Sequence, residues 1–137
     1  MNFTLHERLA ADTAMIADWP LSRVLLMNDS RFPWLILVPR IPALLDLTDL
    51  DEAGRAMLME EMGRAAVKLK EWARAHGGCE RINTGAIGNI VPQLHIHVVA
   101  RRIGDAAWPG VVWGSGQNIP YEPPELQRRV MELRGFL

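Results

Sequence analysis

The run QLHIHVV, Gln93 to Val99, sets two histidines one residue apart in a stretch that is otherwise almost wholly apolar. In a β-strand successive side chains alternate between faces. Read as a strand, the run puts Gln93, His95 and His97 on one face and Leu94, Ile96 and Val98 on the other. The apolar face belongs on a hydrophobic core. The polar face presents one amide and two imidazoles over roughly 13 Å, at about 3.3 Å per residue. Such a ladder in a central strand is costly unless it faces a cleft.

Outward from this strand, the chain divides by period. Upstream, SRVLLMND (Ser22–Asp29) and RFPWLILVPR (Arg31–Arg40) are two apolar runs joined by a short polar turn, the pattern of an antiparallel hairpin. From Thr48 the period changes: Leu58, Met62, Ala65, Leu69 and Trp72 recur at spacings of three and four, with Glu60, Glu61, Arg64, Lys68 and Lys70 between them. That spacing predicts an amphipathic helix of about 25 residues. Thr48/Asp51 and Asp49/Glu52 resemble capping boxes at its start, and Gly77-Gly78 marks its end. CERINTGAIG follows as a third extended stretch, and PELQRRVMELRGF closes the chain as a short amphipathic helix. The first twenty residues read as irregular or weakly helical. Strands flanking one long helix predict a single α+β domain over residues 1–137 with a mainly antiparallel sheet.

Bulk properties narrow the function. The 137 residues suit one domain with a real core, and a net charge of −1 lacks the basic excess of a nucleic-acid-binding surface. No segment approaches the roughly 18 apolar residues of a membrane span. The lone Cys79 excludes an internal disulfide framework and a cysteine-rich zinc site, so a reducing, cytoplasmic setting is the default expectation.

Three readings of the histidine face compete. The histidines can be half-exposed strand residues with satisfied hydrogen bonds. They can be a metal pair, since alternate strand positions converge on one ion, but the remaining histidines, His6 and His76, stand far off in sequence. Or one imidazole is a nucleophile toward phosphorus, with neighbours that orient it and bind phosphate. The segment before the strand favours the third. Asn83, Thr84, Gly85, Gly88 and Asn89 combine amide side chains with glycines, and glycine lets backbone N–H groups approach phosphate oxygens closely.

The pattern N-x-G-x-x-G-N-x-V-P-Q-L-H-I-H-V-V, Asn83 to Val99, resembles the histidine triad (HIT) family, whose signature is His-φ-His-φ-His-φ-φ after a glycine-rich turn. The likeness extends over about residues 20 to 103, taking in the first hairpin and the long helix. It implies a nucleotide-binding hydrolase or transferase, similar to diadenosine tetraphosphate hydrolases, that works without a cofactor or metal. His95 matches the middle histidine, which in the family attacks the α-phosphate and becomes nucleotidylated. His97 matches the third histidine. Asn83 matches the amide that supports the nucleophile, Asn89 after Gly88 the polar residue on phosphate, and Asn28 or Asp29 the position that bonds ribose hydroxyls. Gln93 stands where the first histidine would be, as in a bacterial Q-φ-H-φ-H subgroup, and a glutamine cannot give a leaving group a proton. Trp34 stands where many members have histidine. The alternative function is a nucleotide-binding module with little turnover. The resemblance also implies a homodimer paired through the long helix and an adjoining strand. Trp72, Trp108 and Trp113 are a large aromatic load that a partner subunit could cover, and two-fold pairing is the commonest oligomer. Trp108 and Trp113 could instead cover the nucleotide pocket. Arg101 and Arg102 read as solvated strand-end charges, and Met57, Met59 and Met62 as helix packing.

Overall fold

A computed structural model describes residues 2–137. Its elements run α1 (Glu7–Asp12), β1 (Thr13–Asp18), β2 (Ser22–Met27), β3 (Trp34–Pro39), α2 (Glu52–Ala73), β4 (Arg81–Gly85), β5 (Ile96–Arg101) and α3 (Pro123–Phe136). The five strands form one antiparallel sheet in the order β1-β2-β3-β5-β4. The expected α+β architecture is present.

One face of the sheet is covered by α2 and α3. There Leu94, Ile96 and Val98 join Leu58 and Leu69 of α2 and Val130 and Leu133 of α3 in the main core. The opposite face carries a smaller apolar layer that includes Leu9 of α1, Trp34, Ile36, Val91, Val99 and Val112. Every residue of β3 and β5 is therefore buried. This explains why Arg31–Arg40 reads as a continuous apolar run rather than an alternating one.

Several expectations are corrected. The first twenty residues contain α1 and the edge strand β1. Only Ile16 of TAMIAD is buried, and a register shift between Met15 and Ala17 breaks the pairing. Alanine and aspartate favour strands poorly, so it is the open edge of β2 that draws this segment into the sheet. The long helix starts at Glu52 with Asp51 as its cap, the carboxylate accepting from the Gly54 N–H at 2.7 Å. The capping box lies earlier, between Asp46 and Asp49 on a single 3₁₀ turn, Leu47–Asp49. The helix ends at Ala73, and Gly78, at φ +87°, closes it by donating to the Ala73 carbonyl at 2.8 Å. Glu61, read as part of the solvated face, points inward: its carboxylate accepts the N–H groups of Leu21 and Ser22, both at 2.9 Å. Met57 and Met59 are exposed and only Met62 packs on the core.

Arg101 is the largest correction at the strand end. It is 1% exposed, and its guanidinium donates twice to Asp105, at 2.8 and 3.0 Å. Burial alone would raise the Asp105 carboxyl, but the Arg101 hydrogen bonds, with N–H groups of Arg102 and Ala107, hold it below the usual range. Arg102 is exposed, as expected.

Candidate functional site

His97 sits in the middle of the sheet, opposite Ile36 of β3 and Gly85 of β4. Its ring lies on the face away from α2, edge-on to Trp34 and Trp113 with centroids 5.5 Å away in each case. Gly85 makes this possible: a Cβ there would stand 3.1 Å from the Trp113 ring. The Trp34 indole N–H donates to His97 Nδ1 at 3.0 Å. An indole nitrogen can only donate, so Nδ1 carries no proton and the neutral ring is the Nε2–H tautomer. Burial, and secondarily the neighbouring His95, push the His97 pKa down to about 4. His97 is a neutral N–H donor at physiological pH.

His95 has the opposite arrangement. Its Nδ1 lies 2.7 Å from the Gln93 backbone carbonyl. A carbonyl only accepts, so Nδ1 bears a proton, and in the neutral ring Nε2 keeps its lone pair. Among the described residues neither ring's Nε2 has a hydrogen-bond partner. The two ring centroids are 5.0 Å apart. One imidazole thus offers a lone pair and its neighbour an N–H.

Both rings line a cavity of about 490 Å³, within the size range of small-molecule sites. Asp29, Gly88 and Asn89 line it too, so five of the residues singled out by sequence come together. Gly88 adopts φ +56°, a turn conformation that favours glycine. Asp29 is 1% exposed and held by Arg31, whose Nε and Nη2 donate to its two oxygens at 3.0 and 2.8 Å.

Three other candidates turn elsewhere. Gln93 precedes β5, which begins at Ile96, so strand alternation does not govern its side chain. Its amide instead binds the N-terminal arm, accepting from the His6 N–H at 2.8 Å and donating to the Thr4 carbonyl at 2.9 Å. Asn83 lies opposite Val99 on β4, and its amide oxygen accepts from Arg101 at 2.8 Å. Asn28 points its amide oxygen at the Tyr121 N–H, 2.9 Å away, tying the hairpin turn to the tail. The aromatic residues divide as well. Trp113 lines the cavity, whereas Trp108 lies by the Arg101 guanidinium. Trp72 is buried and stacked on His76 with centroids 4.0 Å apart, so it is spent inside the fold.

Residues that the sequence did not mark complete the walls: Arg8 and Arg31, and the loop Gly114–Gly116 with Asn118. Only the glycine spacing of WGSGQN hinted at the loop. For a metal, His95 and His97 find no third ligand: among the described residues no group of three His, Cys, Asp or Glu is placed to hold an ion. His6 caps α1 through its Nδ1.

The HIT domain family model matches residues 8–104, most of the chain. The chain belongs to the HIT domain family. It is 46% identical to a histidine triad protein of Bradyrhizobium japonicum whose crystal structure superposes with a TM-score of 0.91, covering 99% of this chain and 98% of that one. A HIT protein from Sinorhizobium meliloti 1021 is 44% identical, with a TM-score of 0.89 over 98% and 97% of the two chains. An AP-4-A phosphorylase of Mycobacterium tuberculosis is 39% identical over 85 residues, 59% of this chain. The match spans 42% of that curated relative. No helix among the described residues is long and apolar enough to cross a membrane.

Proposed function

We propose that this HIT protein is a nucleotidyl hydrolase or transferase in which His95 Nε2 attacks the α-phosphorus of a nucleotide. The observation that carries this is that two neighbouring imidazoles in one cavity have opposite hydrogen-bond partners, an N–H donor on His97 Nδ1 and a carbonyl acceptor on His95 Nδ1. The Gln93 carbonyl holds the His95 proton on Nδ1, leaving Nε2 as the nucleophile. Its attack forms an N–P bond as the bridging P–O bond breaks, and the leaving phosphate takes the electron pair. His97 Nε2–H donates to the charge that develops on the phosphoryl oxygens, and it needs no reorganisation because Trp34 already sets its tautomer. Water, or inorganic phosphate in a phosphorolytic variant, then attacks phosphorus, breaks the N–P bond and returns the electron pair to His95.

Dinucleoside polyphosphates such as diadenosine tetraphosphate are the proposed substrates, supported by the AP-4-A phosphorylase relative. Asn89 and the Gly88 turn are proposed to bind the attacked phosphate, and Asp29 the ribose hydroxyls. Gln93, Asn83 and Asn28 support the site from behind rather than touching the reacting atoms. The exposed edge strand β4 and the exposed Met59 and Val67 of α2 suit the homodimer implied by the family resemblance. The free thiol of Cys79 suits a cytoplasmic protein.

Alkaline quench of the protein with α-³²P-labelled diadenosine tetraphosphate tests the mechanism. A phosphoramidate on His95 survives alkali and is lost in mild acid. His95→Ala should abolish both the label and turnover while still binding nucleotide. A wild-type protein that binds the dinucleotide yet never becomes labelled or turns it over is instead a nucleotide-binding module.

A further inference from the structure

Among the described residues, one guanidinium on the cavity wall has no hydrogen-bond partner. Two arginines reach the cavity, Arg8 from α1 and Arg31 from the β2–β3 turn. Arg31 is committed: beyond its two bonds to Asp29, its Nη1 donates to the Ser115 carbonyl at 2.6 Å. Arg8 donates no side-chain hydrogen bond among the described residues. Its nearest acid, Asp12, stands 3.8 Å away, and the two side chains are 59% and 50% exposed. The Asp29 charge is thus balanced by Arg31, while Arg8 makes only this loose, solvent-exposed ion pair and, among the described residues, keeps its N–H donors available.

The short helix that carries Arg8 is anchored at both ends. Before its start, the Gln93 amide grips the arm at Thr4 and His6. At its end, the Asp12 carbonyl accepts from the Asn28 N–H at 3.0 Å. Between them Leu9 is buried against the sheet layer of Trp34 and Ile36. Gln93 is also the residue whose carbonyl holds the His95 ring. A single residue therefore ties the nucleophile to the arm that presents the Arg8 guanidinium.

We infer that Arg8 binds the phosphates of the leaving group, beyond the phosphorus attacked, and that Gln93 is the positioning residue that holds Arg8 there. The inference rests on the proposed nucleotidyl reaction and adds its selectivity: a polyphosphate leaving group is favoured over an uncharged one. A guanidinium fork matches phosphate oxygens two at a time, which suits a chain of phosphates better than a single amine or alcohol. Neither residue makes or breaks a bond. The glutamine at the first triad position serves as a clamp on the arm.

Calorimetric titration of tripolyphosphate and, separately, adenosine tests this without requiring turnover. Arg8→Ala should weaken tripolyphosphate binding about ten- to a hundredfold, the range for a charged hydrogen-bond partner, and leave adenosine binding within about twofold. Arg8→Lys should recover part of the loss. Gln93→Leu should weaken tripolyphosphate several-fold when Arg8 is present and no further when it is alanine, a non-additivity that general loss of structure does not produce. Wild-type protein that ignores tripolyphosphate, or an Arg8→Ala variant that binds it as tightly as wild type, would overturn the assignment. So would equal losses for tripolyphosphate and adenosine. Additive losses for Gln93 and Arg8 would overturn the positioning role. A failure of His95 to become labelled would leave these binding constants as they are, so the two ideas fail separately.

Discussion

Lowering the pH from 7 to 5 should destabilise this protein through His97 in particular. Its folded pKa is about 4, against 6.5 for an unperturbed histidine. A depressed folded pKa means that the unfolded chain takes up the proton first as pH falls. The contribution is therefore fully present above pH 6.5, declines between 6.5 and 4, and is lost below the folded value. At pH 5 the unfolded histidine has already gained about 1.5 units' worth of protonation free energy and the folded one almost none, which costs about 2 kcal/mol. With a urea dependence of about 2 kcal/mol per molar for a chain of this size, the denaturation midpoint should fall by about 1 M from this residue alone. Other groups titrate in the same window, so the measurement is a difference. Urea melts of wild type and His97→Gln at pH 7 and pH 5 should show a wild-type loss larger by about 2 kcal/mol. Equal losses in the two proteins would refute the buried, neutral His97, and with it the claim that this ring enters the reaction as a ready N–H donor.

Trp34→Phe keeps an aromatic ring beside His97 but removes its donor. The ring is then free to adopt the Nδ1–H tautomer, so kcat for diadenosine tetraphosphate should fall about two- to tenfold; ¹⁵N shifts of the His97 imidazole would report the tautomer directly. Glu61→Ala leaves the N–H groups of Leu21 and Ser22 without an acceptor inside the fold. The expected cost is about 3 kcal/mol, read as a thermal midpoint lower by roughly 10 °C. Asp105→Ala strands the buried Arg101 charge; a loss of about 3–5 kcal/mol is expected from chemical denaturation, and a shift below 1 kcal/mol would show that Asn83 and the surrounding rings suffice to hold it.

What the sequence determined by itself was the local geometry of the backbone. Alternation along β5 settles that His97 opposes Ile96 and Val98, because a strand allows no other disposition of successive side chains. The spacing of Leu58, Ala65, Leu69 and Trp72 by seven, four and three likewise marks the buried stripe of α2. The same logic failed at Gln93 because regular strand begins only at Ile96, and at Glu61 because helical period cannot tell a solvated carboxylate from one that accepts two distant N–H groups. The protonation of the two imidazoles was decided by the tertiary structure. It depends on Trp34, 63 positions away in the chain, and on a carbonyl that turns inward only because the segment before β5 leaves the strand. The same holds for the pairing of Arg101 with Asp105 and Asn83, and for the bridge from Gln93 to Thr4 and His6. A side chain's hydrogen-bond partners are set by which segments folding brings within about 3 Å, and contacts between distant segments leave no period in the sequence.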